Sequence, residues 1–261
     1  MQKKTFSPAL GFVGLLLLAV GSFPLCAAES APPKKPPEKD WAGEPLLPEF
    51  SAAKATEFLD AGARAHEGTK CVTCHGTFAY LSARPALPVP SAKHDEVRLD
   101  LEKWVDYLAE IPVDVNSDPR RRTEAVMAGA VLAQHDAATS GKLQPKTRQA
   151  LDLMWQVQLE EGGYDWLKPN NEPPTAIDNH FGATMAAIGV GVAPDDYAST
   201  PAARAGMEGI RRYLHDHPPQ HMHQRGMLLL ADHFVGDLMT DAARGETIDD
   251  LLALQRPDGG W

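Results

Sequence analysis

The sequence predicts an all-α fold built as an array of helix hairpins, and three observations lead there. From residue 51 onward, apolar residues recur at the spacing of one helix face. No segment alternates apolar and polar residues in the way of a half-buried strand. Two helices also end in related patterns, one at Met154, Gln158, Gly162, Gly163 and Tyr164, the other at Leu251, Gln255, Gly259, Gly260 and Trp261. In each, the glycines stop the helix and turn the chain, and the aromatic is placed to fold back on the Gln side chain and brace the corner. A repeat of this kind marks an array of hairpins.

The chain has 261 residues, with 35 Asp plus Glu against 25 Lys plus Arg. An acidic balance with no basic run lacks the positive face that nucleic acid requires, so a nucleic-acid partner is excluded. The chain opens Met1-Gln2-Lys3-Lys4, continues through an apolar run from Gly11 to Val20 and reaches Leu25-Cys26-Ala27-Ala28. Basic start, short apolar core and small residues are the pattern of a secretory signal peptide, predicted over 1–28. The run is too short for a comfortable membrane span, and Phe23-Pro24-Leu25 departs from the small residues a lipid-modified Cys26 would need. Residues 29–50 form a Pro-rich linker, with Pro32-Pro33, Pro36-Pro37, Pro45 and Pro48, too poor in apolar residues to order itself.

The helical domain is predicted over 51–261. Ser51 caps a first helix to about His66, with Ala55, Phe58, Leu59 and Gly62 on one face. Phe78-Ala79-Tyr80-Leu81 is an apolar patch for the core or for a cofactor face, and Pro85, Pro88 and Pro90 then keep the chain out of a helix. Ala92 to Ile111 carries Val97, Leu101, Trp104, Val105 and Leu108 on one face. Asp118-Pro119 starts a helix to about Ala138, and Pro145 starts one to near Glu160. Thr175 to about Val190 is rich in Ala and Gly, as in a helix packed closely on its neighbours. Helices from Thr200-Pro201 to about His215, from Met222 to Leu238 and from Asp241 to Leu254 complete the set.

The most specific chemical signal is Cys71-Val72-Thr73-Cys74-His75. At this spacing both thiols can add to the vinyl groups of one haem while the imidazole ligates its iron. Cys26 is the only other cysteine and falls in the predicted signal peptide. A redox dithiol would sit in a βαβ pattern that is absent, a zinc site would need further ligands, and a disulfide across so few residues would constrain little. The expected cofactor is therefore haem c, bound through Cys71 and Cys74 with His75 on iron, in a segment spanning 51–90. Export agrees with it, because covalent haem attachment belongs outside the cytoplasm.

The two Gln–Gly corners resemble those of the squalene-hopene cyclase and prenyltransferase superfamily, over roughly Pro145 to Trp261 and more weakly before it. The resemblance implies a partial α/α toroid over 91–261, expected to be incomplete or open. With the haem motif, the chain is similar to exported, cyclase-like haem-motif proteins of planctomycete-type bacteria. The family's cyclases protonate substrate with an Asp-x-Asp-Asp motif, which this sequence lacks. Its nearest strings, around Asp178, Asp195-Asp196 and Asp249-Asp250, read as solvated helix ends. A terpenoid- or lipid-handling role stays as the alternative to electron transfer or redox sensing with a partner protein.

A second axial ligand would complete a low-spin haem. Met127, on an apolar helix, is the candidate that fits a Met/His site in chain order, with core packing as its competing role. His66, His94 and His180 are alternatives, and His180 and Trp166 could instead line a toroid cavity. His215, His217, His221 and His223 surround Pro218-Pro219 and read as exposed histidines of a helix corner before they read as a metal site.

Overall fold

The computed structural model describes residues 49–64, 74–87, 89, 91–111, 119–168, 178–257 and 259, with the side chains of 64, 74 and 75 set aside. The predicted signal peptide, nearly all of the linker, His66, Cys71, Asp118, Thr175 and Trp261 lie outside them. Among the described residues the fold is all-α, with helices α1 (Ala52–Arg64), α2 (Ala79–Ala83), α3 (Ala92–Glu110), α4 (Pro119–Thr139), α5 (Pro145–Gln156), α6 (Asn179–Val192), α7 (Pro201–Asp216), α8 (Met222–Val235) and α9 (Asp241–Ala253). Within that set no helix is long and apolar enough to cross a membrane.

Local chemistry places the helix starts. Thr200 and Thr240 accept the backbone N–H of Ala203 and Ala243 at 3.3 and 3.2 Å, and Asp178 accepts that of His180 at 2.7 Å. Proline opens α4, α5 and α7, where its missing N–H costs nothing. Some ends differ from expectation. Helix α8 stops at Val235 because Gly236 turns at φ 66° and Asp232 Oδ1 takes the N–H groups of Leu238 and Met239. Helix α5 stops at Gln156, short of Glu160, because Val157 to Tyr164 form the corner described below. The proline stretch after α2 begins with a single 3-10 turn, Arg84–Ala86. On α1, Phe58 is 78% exposed, and the inward face is Thr56, Leu59, Asp60 and Ala63.

The helices stack as hairpins in two rows. Helices α2, α4, α6 and α8 lie side by side, and α3, α5 and α7 form the second row behind them, with α9 against α8. Helix α4 sits at the centre and is buried on nearly every side. It has room because α6 comes close through Gly189, where a Cβ would stand 2.7 Å from the Cα of Ala130. Leu101, Val105 and Leu108 of α3, Val126, Val131 and Leu132 of α4, Leu151 and Met154 of α5, and Ile210 of α7 fill the core between the rows.

The repeated corner has the same geometry twice. Gln158 Nε2 donates to Gly162 O at 2.9 Å, and Gln255 Nε2 donates to Gly259 O at 2.9 Å. Both acceptor glycines turn the chain at positive φ, 96° and 86°. The first corner also crosses to the next hairpin, since Gln158 Nε2 donates to Gly206 O on α7 at 2.9 Å. There α7 presses so close that a Cβ on Gly206 would lie 2.3 Å from Trp155 Cε3. The brace is thus an amide on two carbonyls, while Tyr164 is fully buried with its hydroxyl unpaired.

Gln158→Ala would leave the Gly162 carbonyl without its amide and break the bond to α7, and is expected to cost about 1–3 kcal/mol in urea unfolding. Gln255→Ala, at an exposed corner, is expected to stay within about 0.5 kcal/mol. Equal costs at the two sites would contradict the cross-hairpin role of Gln158.

Candidate functional site

Cys74 and His75 lie in the first turn of a short π-helical segment, Cys74–Phe78, that runs straight into α2. The segment packs against α1, α2 and α4. Phe78, Tyr80 and Leu81 from the apolar patch enter the core. Cys71 lies outside the described residues. Met127 is on α4, one of the helices against which the segment rests. On a helix otherwise almost fully buried, Met127 is only partly buried and packs against the core.

A polar clamp holds the chain just after this segment. Asp60 of α1 accepts from Tyr80 Oη at 2.6 Å, Arg84 Nε at 3.3 Å and Ser91 Oγ at 2.5 Å. Arg84 also donates to the carbonyls of Leu87 and Val89. Burial works to raise the Asp60 pKa, but the hydrogen bonds from Ser91, Tyr80 and Arg84 outweigh it and hold the carboxyl below its usual range. Tyr80 is pushed up, by burial and by its bond to that carboxylate. One buried carboxylate therefore ties α1, α2 and the start of α3 around the segment that carries His75.

A second network adjoins it through the edge contact of Tyr80 with His94, ring centroids 6.1 Å apart. Arg98 donates to His135 Nδ1 at 2.5 Å and pairs with Asp136 at 2.8 Å. A guanidinium only donates, so His135 carries its hydrogen on Nε2 and donates it to His94 Nε2 at 2.9 Å. His94 then holds its own hydrogen on Nδ1. Protonating His94 would oppose two donors, and burial together with the neighbouring His135 and Arg84 lowers its pKa. His94 is thus engaged within the fold at the nitrogen it would offer to iron.

The parallel helices α6 and α8 bring a third group together at one end. Asp178, the cap of α6, accepts from Gln224 Nε2 at 2.6 Å and stands 3.3 Å from His221, the cap of α8. His180 is 3% exposed with neither ring nitrogen hydrogen-bonded, and His223 Nδ1 is also buried and unpaired. Trp166 packs edge-on to Phe181, which neighbours His223. The four corner histidines do not act together. His215 is exposed beside Asp216, His217 stacks on Tyr213, and His217, His221 and His223 lie near enough to act on His180. Among the described residues, no three His, Cys, Asp or Glu side chains are grouped to hold a metal ion.

The other acidic strings have structural partners. Asp195 Oδ2 accepts the backbone N–H of Leu143 at 2.9 Å, and Asp250 pairs with Arg225 at 2.6 Å. Sequence reasoning missed Asp60, Arg98, His135, Asp136 and the Asp178–His221 pairing. The available signal was charge and histidine set into the apolar helices, above all in α4.

The chain matches no known protein family, curated protein or solved structure.

Burial holds the His180 pKa down to about 4, with the nearby His221, His217 and His223 adding to the burial and Asp178 opposing them. An unfolded histidine takes its proton near pH 6.5, so the unfolded chain binds more protons below that value and native stability falls as pH drops from about 6.5 to 4. The loss expected from His180 is on the order of 3 kcal/mol. Denaturation across that pH range should show a shallower slope in His180→Leu than in the wild type.

Proposed function

We propose that this chain is an exported, monohaem c-type protein in which Cys71 and Cys74 attach haem c and His75 ligates its iron. The observation that carries the reading is the Cys71-Val72-Thr73-Cys74-His75 spacing, which holds every thiol of the chain beyond the predicted signal peptide. The surroundings fit the group. Cys74 and His75 share one helical turn, and a clamp centred on Asp60 anchors the chain that follows. Met127 lies on a helix that the turn touches, partly buried against the core, and its thioether would supply the iron's second ligand.

Bound haem supplies reversible one-electron iron chemistry. The chain's own part would be to supply two thiols for covalent attachment and the His75 imidazole and Met127 thioether as ligands. The buried clamp limits how far the His75 segment can shift between oxidation states, which keeps reorganisation small and suits electron transfer or redox sensing with a partner protein. The periplasm or the extracellular space is the setting this chemistry requires.

The Gln–Gly corners favour a second reading, in which the hairpin array handles a lipid or terpenoid. Trp166, Phe181, His180 and His223, gathered at the ends of α6 and α8, are the side chains that would meet it.

Expression with export in a host that matures c-type haem, followed by a pyridine haemochrome spectrum, tests the first reading. The wild type is expected to show a c-type band that survives denaturation, and the double variant Cys71→Ser with Cys74→Ser to lose it. Absence of covalent haem in the exported wild type sinks the proposal. Met127→Ala should keep the covalent haem and convert a low-spin spectrum to a high-spin one, whereas a methionine confined to packing would leave the spin state unchanged.

A further inference from the structure

The starts of α6 and α8 stand side by side, tied by Asp178 to Gln224 and to His221. Each helix carries a histidine two residues after its cap, His180 in one and His223 in the other. His180 is 3% exposed and neither of its ring nitrogens has a hydrogen-bond partner, and His223 Nδ1 is buried in the same condition. Buried polar atoms without partners are costly, and here three of them gather at one place. The polar groups of the same turns are engaged elsewhere. Asp178 Oδ1 takes the backbone N–H of His180, Oδ2 takes Gln224 Nε2, and Thr184 Oγ1 donates to the carbonyls of His180 and Phe181.

The walls are aromatic. His221 at the surface, the partly buried His223, then Phe181 and the buried Trp166 follow one another with ring centroids 6.1, 5.9 and 5.6 Å apart. A group that completes the histidine pair must be uncharged, because the two helix starts oppose a cation and the neighbouring Asp178 opposes an anion. It must also donate and accept together. A neutral imidazole presents one N–H and one lone pair, and burial keeps His180 neutral down to about pH 4. A hydroxyl meets both needs, whereas a carbonyl or an ether only accepts and a hydrocarbon does neither.

We propose that His180 and His223 form a recognition site for the hydroxyl group of an apolar alcohol. The hydroxyl accepts the N–H of one ring and donates to the lone pair of the other, and the apolar body lies along Phe181 and Trp166. This rests on the lipid reading of the hairpin array and names the group by which the ligand is chosen.

Decanol, decane and decanoate are the probes, titrated into the intact chain at about pH 7.5, where an ordinary histidine is neutral. Decanol is expected to bind saturably, to shift the ring-nitrogen resonances of His180 and His223, and to bind about tenfold or more tightly than the other two. His180→Phe should bring decanol level with decane and yet leave the ligand-free melting temperature equal or higher, because it removes unmatched polar atoms from the interior. A histidine that serves only the fold would lose stability on that change and keep its decanol affinity, which overturns the proposal. Should the variant fail to fold, the ring shifts in the wild type decide, and decanol bound without moving them overturns the proposal. Decane bound as tightly as decanol overturns the hydroxyl site and leaves the lipid reading standing. Decanoate bound more tightly than decanol overturns it in favour of an acid group. Binding by none of the three overturns the site and the lipid reading together.

Discussion

Helix α4 imposes the constraint on which the remaining structure depends. It is buried on almost every side and yet carries Arg121, Arg122, Glu124, His135 and Asp136. A buried polar group left without a partner costs more than a hydrogen bond returns, so each neighbour must supply one at a fixed place. Arg121 reaches the carbonyl of Leu108 at the end of α3, Asp136 takes Arg98 from α3 and the N–H of Gln144 before α5, and Thr123 accepts from Leu167 N beyond the corner. Apolar packing alone would let these helices slide past one another. The polar contacts set their register.

The helix content was legible because it rests on local signals. Proline at the first turn, Ser or Thr caps and a 3.6-residue period all act within a few residues of their effect, and α3, α4, α7 and α9 begin where those signals stand. The ends of α5 and α8 were not, because side chains from elsewhere decide them. Asp232 reaches forward to catch Leu238 and Met239, and Gln158 closes its own corner. Phe58 shows a further limit, since its period placed it with Leu59 and only the choice of neighbours turned it out to solvent.

The site separates in the same way. The pattern of Cys71, Cys74 and His75 is readable because it rests on spacing and residue type alone. The clamp that follows it is not, because Asp60, Tyr80, Arg84 and Ser91 meet only after α1, α2 and α3 have been brought together. The buried His180, capped by an Asp that also meets α8, was visible as a residue but not as part of a group.

The central place of α4 also bears on the order in which the chain can fold. As the chain lengthens from its N-terminus, α3 meets only the short α1 and α2 until α4 and α5 follow it and complete the cover over Leu101, Val105 and Leu108. Once α4 and α5 have closed on each other, each later hairpin adds to a finished face, with contacts mostly between neighbours in sequence. Growth of that kind relies on local contacts, and the first complete layer around α4 is the part that must close over the longest stretch of chain.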